Sequence, residues 1–181
     1  AGIPMPMAPI QIILLELFLD LAASAGFVAE PQEKDIYSRP PRDPKEPVLS
    51  KRVVRDILLN GVFLFAGVTG VYLFARGQGM DQTVAQTFAF TAWIFGHIFL
   101  AFVSRSEKEA VVSLGLFSNT VMDLWAFAAI AFLILGIYLP LLNAPLNLTL
   151  IPAPQLLMIA VAMLVIVGLL EVRKAFKPAQ G

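Results

Sequence analysis

Five long apolar segments constrain the fold of this chain more than any other feature of its sequence. They lie at residues 9–28, 53–75, 84–104, 119–139 and 155–172, and each is long enough to cross a bilayer as a helix. The chain is 58% hydrophobic and only 14% charged, well below the charge content of a typical soluble domain. The pattern therefore predicts an all-α fold, a polytopic membrane bundle of five transmembrane helices.

Basic residues are divided unevenly between the predicted loops. With five crossings, only Arg76 of the 13 lysine and arginine residues falls on one side of the membrane, and all others fall on the opposite side. The positive-inside rule then predicts an N-terminus outside and a C-terminus in the cytoplasm. No basic region precedes the first apolar segment, so we expect a fragment of a longer protein rather than a signal peptide. Residues 1–181 are treated as one multi-pass membrane domain, expected in the plasma membrane.

Two links between the segments are rich in proline. The link at residues 30–52 is polar, and its prolines prevent a long helix. Its composition favours a solvated linker, and a rigid docking loop for a cytoplasmic partner is the alternative. The link at residues 140–154 is also expected to be a loop. A net charge of zero gives no indication of nucleic-acid binding, and the absence of cysteine excludes disulfides and thiolate metal sites.

Two carboxylates, Glu16 and Asp20, interrupt the first apolar segment. They are four residues apart and share one face of a helix. An acid at mid-membrane depth costs about 2.5–3.5 kcal/mol, so its default interpretation is functional. Carboxylates are preferred ligands of hard cations such as calcium, and protons would compete with a cation for two like charges so close together. The alternative interpretation is that the pair caps a helix or forms hydrogen bonds across the bundle.

Three other features inside the apolar segments are weaker signals. His97, the only histidine, is predicted to pack rather than to carry a proton or ion. Asn60 is suited to an interhelical hydrogen bond worth about 1 kcal/mol or less. Ala66 and Gly70 form a pair of small residues suited to close helix packing.

Several residue groups match a known family. The first part of the chain contains Pro9-Ile10-Gln11, Glu16-Leu17-Phe18-Leu19-Asp20, Glu30-Pro31, Asp35-Ile36 and Arg39-Pro40-Pro41-Arg42. These groups resemble the sixth transmembrane helix and following loop of P-type cation-transporting ATPases, in the group of the calcium, sodium/potassium and proton/potassium pumps. A second series resembles the eighth helix and its loop, and consists of Ala89-Phe90-Thr91, His97, Arg105-Ser106-Glu107 and Leu114 to Asn119. The five segments would then be helices six to ten.

The resemblance implies that this chain is the membrane portion of an ATP-driven cation pump. It implies that Glu16 and Asp20 bind the transported cation. His97 and Asn60 are our candidates for supporting or proton-linked residues beside that site. Leu19 replaces a threonine of the calcium-pump pattern, and His97 replaces a second-site carboxylate. One bound ion, or a cation other than calcium, is therefore implied; calcium, proton, sodium and potassium all stay open.

The resemblance also implies partners outside this chain. The expected docking loop for a phosphorylation domain contains Asp35, Arg39, Pro40, Pro41 and Arg42. Magnesium and ATP would act only in cytoplasmic domains that this sequence does not contain, so the chain alone cannot hydrolyse ATP. The expected partners are the lipid bilayer and the remaining helices and domains of the parent pump. Two alternatives remain: a stand-alone membrane binding or scaffold protein, and a small proton-coupled carrier.

Overall fold

The fold is helical throughout the part of the chain that the structure, a computed structural model, describes. That part comprises residues 4–17, 22–32, 37, 47, 49–106 and 109–175. Its eight helices are α1 (Pro9–Glu16), α2 (Ala22–Val28), α3 (Lys51–Gly77), α4 (Gln82–Val103), α5 (Val111–Leu114), α6 (Thr120–Tyr138), α7 (Pro140–Leu146) and α8 (Ala153–Ala175). The predicted all-α membrane bundle is confirmed.

Four of these helices are long and apolar enough to span a membrane. Their spanning segments are Val53–Gly77, Gln82–Val103, Thr120–Tyr138 and Ala153–Arg173. They correspond to the last four predicted segments. The first predicted segment contains α1 and α2, and residues 18–21 between them lie outside the described part of the chain.

Helix α4 lies at the centre of the bundle and packs against α3, α6 and α8. Its side chains Phe88 and Phe90 are fully buried. Gly67 of α3 and Gly96 of α4 both approach Met163 of α8, so small residues bring these three helices together. The close packing on α3 is therefore at Gly67. The predicted small residues Ala66 and Gly70 are exposed, and a Cβ at position 70 would contact nothing within 4 Å.

Polar residues mark the ends of the long helices. Ser50 caps the start of α3 by accepting a 3.3 Å hydrogen bond from the backbone N–H of Val53. Gly79, at φ 74°, allows the tight connection from α3 to α4.

The apolar outer faces of α3 and α8 carry exposed residues such as Phe65 and Leu164, as contact with lipid requires.

The link between the last two spans is partly helical, so the prediction of a loop there was wrong. Helix α7 starts at Pro140, and proline is favoured at the first position of a helix because its fixed φ suits that position. The helix lasts seven residues, to Leu146, and is capped by Asn147, whose φ of 51° is left-handed. Proline prevents long helices here but does not prevent a short one.

Candidate functional site

Glu16 is the last residue of α1, and its side chain is exposed. It forms no hydrogen bond or ion pair with any other described residue. No basic residue lies in the last turn of α1. A carboxylate with no opposite charge beside it in an apolar segment favours a cation as its partner.

The second predicted cation ligand and all five predicted docking residues lie outside the part of the chain that the structure describes. Asp20 lies outside the described residues, so the structure gives no distance between it and Glu16. The same holds for the predicted docking residues Asp35, Arg39, Pro40, Pro41 and Arg42.

His97 and Asn60 lie on separate helices of the bundle. His97, on α4, is half-buried, and its ring stacks on Trp93 with centroids 3.5 Å apart and an interplanar angle of 25°. Asn60, on α3, is half-buried and forms no side-chain hydrogen bond with another described residue.

One end of the first apolar segment is held by Gln11, which is fully buried. Its Nε2 donates a 2.9 Å hydrogen bond to the carbonyl of Asn147, and its Oε1 accepts a 3.0 Å hydrogen bond from the N–H of Ala8. The side chain of Asn147 in turn donates to Gln86 of α4 at 2.9 Å. These bonds attach the start of α1 to the α7–α8 connection and to the start of α4. We call this end of the bundle the Gln11 end.

Residues before α1 add to this attachment. The Gln82 side chain donates a 2.7 Å hydrogen bond to the carbonyl of Met5. The hydroxyl of the buried Tyr72 lies 3.0 Å from the carbonyl of Pro4, to which it donates, and 3.1 Å from Oε1 of Gln82. The residues that precede α1 are therefore bonded to both α3 and α4.

The opposite end of the bundle contains a buried charged network around Arg105, whose side chain is only 1% exposed. Nε of Arg105 lies 2.9 and 3.0 Å from the two carboxylate oxygens of Glu30, and Nη2 lies 2.8 Å from Oε1. Nη1 donates to the carbonyl of Gly115 at 2.9 Å, and Nη2 donates to Oγ of Ser118 at 2.5 Å. Such forked, charge-assisted contacts fix orientation as well as distance.

Asn119 joins α2 to α6 within the same network and is 2% exposed. Its Oδ1 accepts a 3.0 Å hydrogen bond from the N–H of Met122, which caps the start of α6. Its Nδ2 lies 2.8 Å from the carbonyl of Gly26 and 2.6 Å from Oε2 of Glu30. One side chain therefore caps the start of one helix and bonds the end of another. We call Glu30, Arg105, Ser118 and Asn119 the Arg105 cluster.

A pocket of about 180 Å³ lies beside the Arg105 cluster. Its lining consists of Glu30, Pro31, Gln32, Arg105, Glu109, Ser113, Leu114 and Ser118. Glu30 keeps 18% of its side chain exposed, so the pair it forms with Arg105 is buried on one side and open on the other.

Sequence reasoning assigned no role to Gln11, Arg105 or Asn119. The sequence nevertheless contained an indication that Gln11 and Asn119 have structural roles. Gln11 is a single polar residue between Ile10 and Ile12, and Asn119 directly precedes a long apolar run, as expected of a helix N-cap. Arg105 was used as a basic loop residue and as part of the resemblance to the eighth helix, but its ion pair was not predicted because Glu30 is 75 residues away in sequence.

Comparisons with known proteins agree with the resemblance. The family model described as "Cation transporting ATPase, C-terminus" matches residues 4–176. The human calcium-transporting ATPase type 2C member 1 is 28% identical over 137 residues, which cover 76% of this chain and 15% of that protein. The probable cation-transporting ATPase F of Mycobacterium tuberculosis is 31% identical over 144 residues, covering 78% of this chain and 16% of that protein. The chain thus spans about a sixth of the length of these relatives.

Proposed function

Since this chain belongs to the cation-transporting ATPase family, as its C-terminal membrane region, we propose that it forms the membrane-embedded portion of an ATP-driven cation pump. Glu16 and Asp20 contribute carboxylate ligands to the transported-cation site. The loop at residues 30–52 docks the phosphorylation domain of the parent protein. The observation that carries this proposal is the exposed carboxylate of Glu16 at the end of α1, in an otherwise apolar segment.

The electrostatics of α1 support a cation ligand at this position. A carboxylate in the apolar layer costs about 2.5–3.5 kcal/mol unless another group compensates its charge. No described residue supplies a positive partner for Glu16. A bound cation would compensate the charge of the carboxylate. Calcium takes six to eight oxygen ligands, so the two acids supply part of the coordination and other helices of the parent pump supply the rest.

We propose a site for one cation, with calcium as the first ion to test. The human relative and a relative from Yarrowia lipolytica are both named as calcium-transporting ATPases, at 28% and 27% identity. Leu19 and His97 depart from the calcium-pump pattern, because neither offers a carboxylate or hydroxyl oxygen. A site with fewer oxygen ligands is better suited to one ion than to two.

The test uses the full-length protein that carries this region. Glu16→Gln and Asp20→Asn keep side-chain size and remove one charge each. We expect each to raise by at least about tenfold the calcium concentration that gives half-maximal phosphorylation by ATP, because calcium affinity follows ligand charge. Asp81→Asn is the matched control: Asp81 is exposed, precedes α4 and makes no capping bond. If the calcium dependence of phosphorylation is unchanged in both variants, Glu16 and Asp20 are not cation ligands. Repeating the assay at varied proton, sodium and potassium concentrations identifies the transported ion.

The docking role of the loop is tested separately in the same protein. Replacing Arg39 and Arg42 together by alanine is expected to slow phosphorylation by ATP while the cation concentration for half-maximal phosphorylation stays the same. A variant that is phosphorylated at the normal rate would contradict the docking role and favour the solvated linker.

A further inference from the structure

We propose that three exposed apolar residues in the connection from α4 to α6 form an interfacial anchor, which inserts between the lipid headgroups and the acyl chains of the bilayer. The residues are Val112, Leu116 and Phe117, and we call them the Val112 patch. Val112 is 81% exposed, Leu116 48% and Phe117 84%. They lie at the end of the bundle that contains the Arg105 cluster. The anchor does not depend on the proposed cation site.

A hydrogen bond to α8 sets the depth at which α5 begins. The N–H of Val111, the first residue of α5, donates to Oε1 of Glu171 at 2.6 Å. Glu171 lies two residues before Arg173, where the spanning segment of α8 ends, so it is about 3 Å inside that end along the helix axis. The start of α5 therefore lies level with the boundary of the apolar layer rather than above it.

The other end of the patch is equally close to a span. Phe117 precedes Thr120, the first residue of the spanning segment of α6, by three positions. Even a fully extended chain would place the two at most about 11 Å apart. Beyond Thr120, the α6 residues Val121 and Leu124 are exposed as well. The patch thus continues the apolar outer surface that the spans present to lipid.

The segment that carries the patch is held in place by the Arg105 cluster. Nη1 of Arg105 donates to the carbonyl of Gly115 at 2.9 Å, and Oγ of Ser118 donates to the same carbonyl at 2.9 Å. Gly115 has a φ of 89°, which a residue with a side chain rarely adopts, and it turns the chain between Val112 and Phe117. Because the segment is already ordered, insertion of its side chains requires little loss of backbone entropy.

Polar and apolar groups lie on different sides of this segment. The pocket beside the Arg105 cluster is lined by Glu109, Ser113 and Ser118, among others, and by no residue of the Val112 patch. Residues 110–118 contain no charged side chain, so their transfer into the boundary region carries no cost for burying a charge. A segment with one apolar side and one polar side suits the interface between lipid and water.

The depth of the patch favours lipid over a protein as its partner. A large exposed apolar patch marks either a protein interface or a membrane contact. A cytoplasmic domain that covered the Val112 patch would have to reach the level of Glu171, inside the spanning segment of α8. The acyl chains are already present at that level.

The experiment uses the full-length protein that carries this region, reconstituted into phosphatidylcholine vesicles. A spin label is attached to a single cysteine, in Val112→Cys or Phe117→Cys, after replacement of any cysteine elsewhere in the protein by serine. Power-saturation electron paramagnetic resonance compares collisions of the label with oxygen, which is enriched among acyl chains, and with a water-soluble nickel chelate. We expect oxygen collisions to dominate at both positions, at a depth of about 5–10 Å in the boundary region.

Ser113→Cys is the matched control, because Ser113 is exposed on the same segment but lines the pocket. Nickel collisions should dominate there. All three labelled side chains are exposed, so the thermal unfolding of the variants should match that of the unmodified protein. If nickel collisions also dominate at positions 112 and 117, the patch faces water and the proposal is wrong. If the labels there are shielded from both oxygen and nickel, the patch contacts protein and the proposal is equally wrong.

A second variant tests whether the apolar side chains cause the insertion. Val112→Asp and Leu116→Asp are combined in the protein that carries the label at position 117. We expect nickel collisions at this label to increase and oxygen collisions to decrease, because aspartate disfavours the apolar boundary. A label that stays at the same depth would show that the ends of α4 and α6 alone set its position, which would overturn the anchoring role of the patch.

Discussion

Replacement of Gly96 by alanine tests how closely α3, α4 and α8 pack at the centre of the bundle. A Cβ added at Gly96 would lie 2.5 Å from Cδ1 of Leu64 and 2.6 Å from Cε of Met163. Carbon atoms in good contact are about 3.5–4.0 Å apart, so both neighbours must move by roughly 1 Å. Met163 is fully buried and Leu64 is 9% exposed, which leaves them little space. Such overpacking costs about 1–3 kcal/mol.

Gly70→Ala on α3 is the matched control for this prediction. A Cβ at position 70 would contact nothing within 4 Å. Both substitutions gain the same helix propensity, about 1 kcal/mol, so the difference between the two variants isolates packing. The measurement is thermal unfolding of the purified protein in detergent. We expect the Gly96 variant to unfold roughly 2–12 °C below the Gly70 variant, from the usual relation between stability and melting temperature.

A double-mutant cycle with Met163→Ala identifies the contact responsible. Shortening Met163 removes the atom nearest to the new Cβ, so Gly96→Ala should cost less in the Met163→Ala background than in the unmodified protein. The expected coupling is about 0.5–3 kcal/mol. Equal unfolding temperatures for the Gly96 and Gly70 variants, or a cycle without coupling, would refute the proposed close packing at Gly96.

Two further predictions concern the Gln11 end. Gln11→Leu should destabilise the protein by about 1–3 kcal/mol, because it leaves the Asn147 carbonyl without this donor, while Gln78→Leu at an exposed position should have little effect in the same thermal assay. Tyr72→Phe should lower the stability by about 0.5–1.5 kcal/mol through the loss of its hydroxyl contacts, and Tyr37→Phe, at an exposed tyrosine, is the control. If the two variants of either pair are equally stable, the role given to the buried residue of that pair is wrong.

The long spans were predictable from sequence because each is defined by its own apolar residues. The segment predicted at residues 53–75 is observed as Lys51–Gly77, and the one predicted at 84–104 as Gln82–Val103. The extension of α3 depends on a local signal, the Ser50 cap, which hydropathy averages do not include. Helix α7 was missed for a related reason, since proline content was interpreted as loop although Pro140 occupies the one position where a helix favours it.

The polar attachments of the first segment were not predictable in the same way. Gln11 finds its acceptor 136 residues later, and Arg105 finds Glu30 across 75 residues. Which polar group pairs with which depends on how the helices pack, and a single sequence gives no measure of that. The positions of Gln11 and Asn119 within or beside apolar runs indicated only that each needed a partner.

The arrangement of these attachments gives the proposed cation site a physical rationale. The buried Gln11 and Asn119 hold the two ends of the first segment, whereas Glu16 between them has no partner among the described residues. If Glu16 lies in the membrane as proposed and stability alone had shaped this segment, an apolar residue at position 16 would avoid the cost of the carboxylate. A charged residue between two firmly held helix ends is instead what a cation site requires, because ligands must be kept at fixed distances while the compensating charge comes and goes.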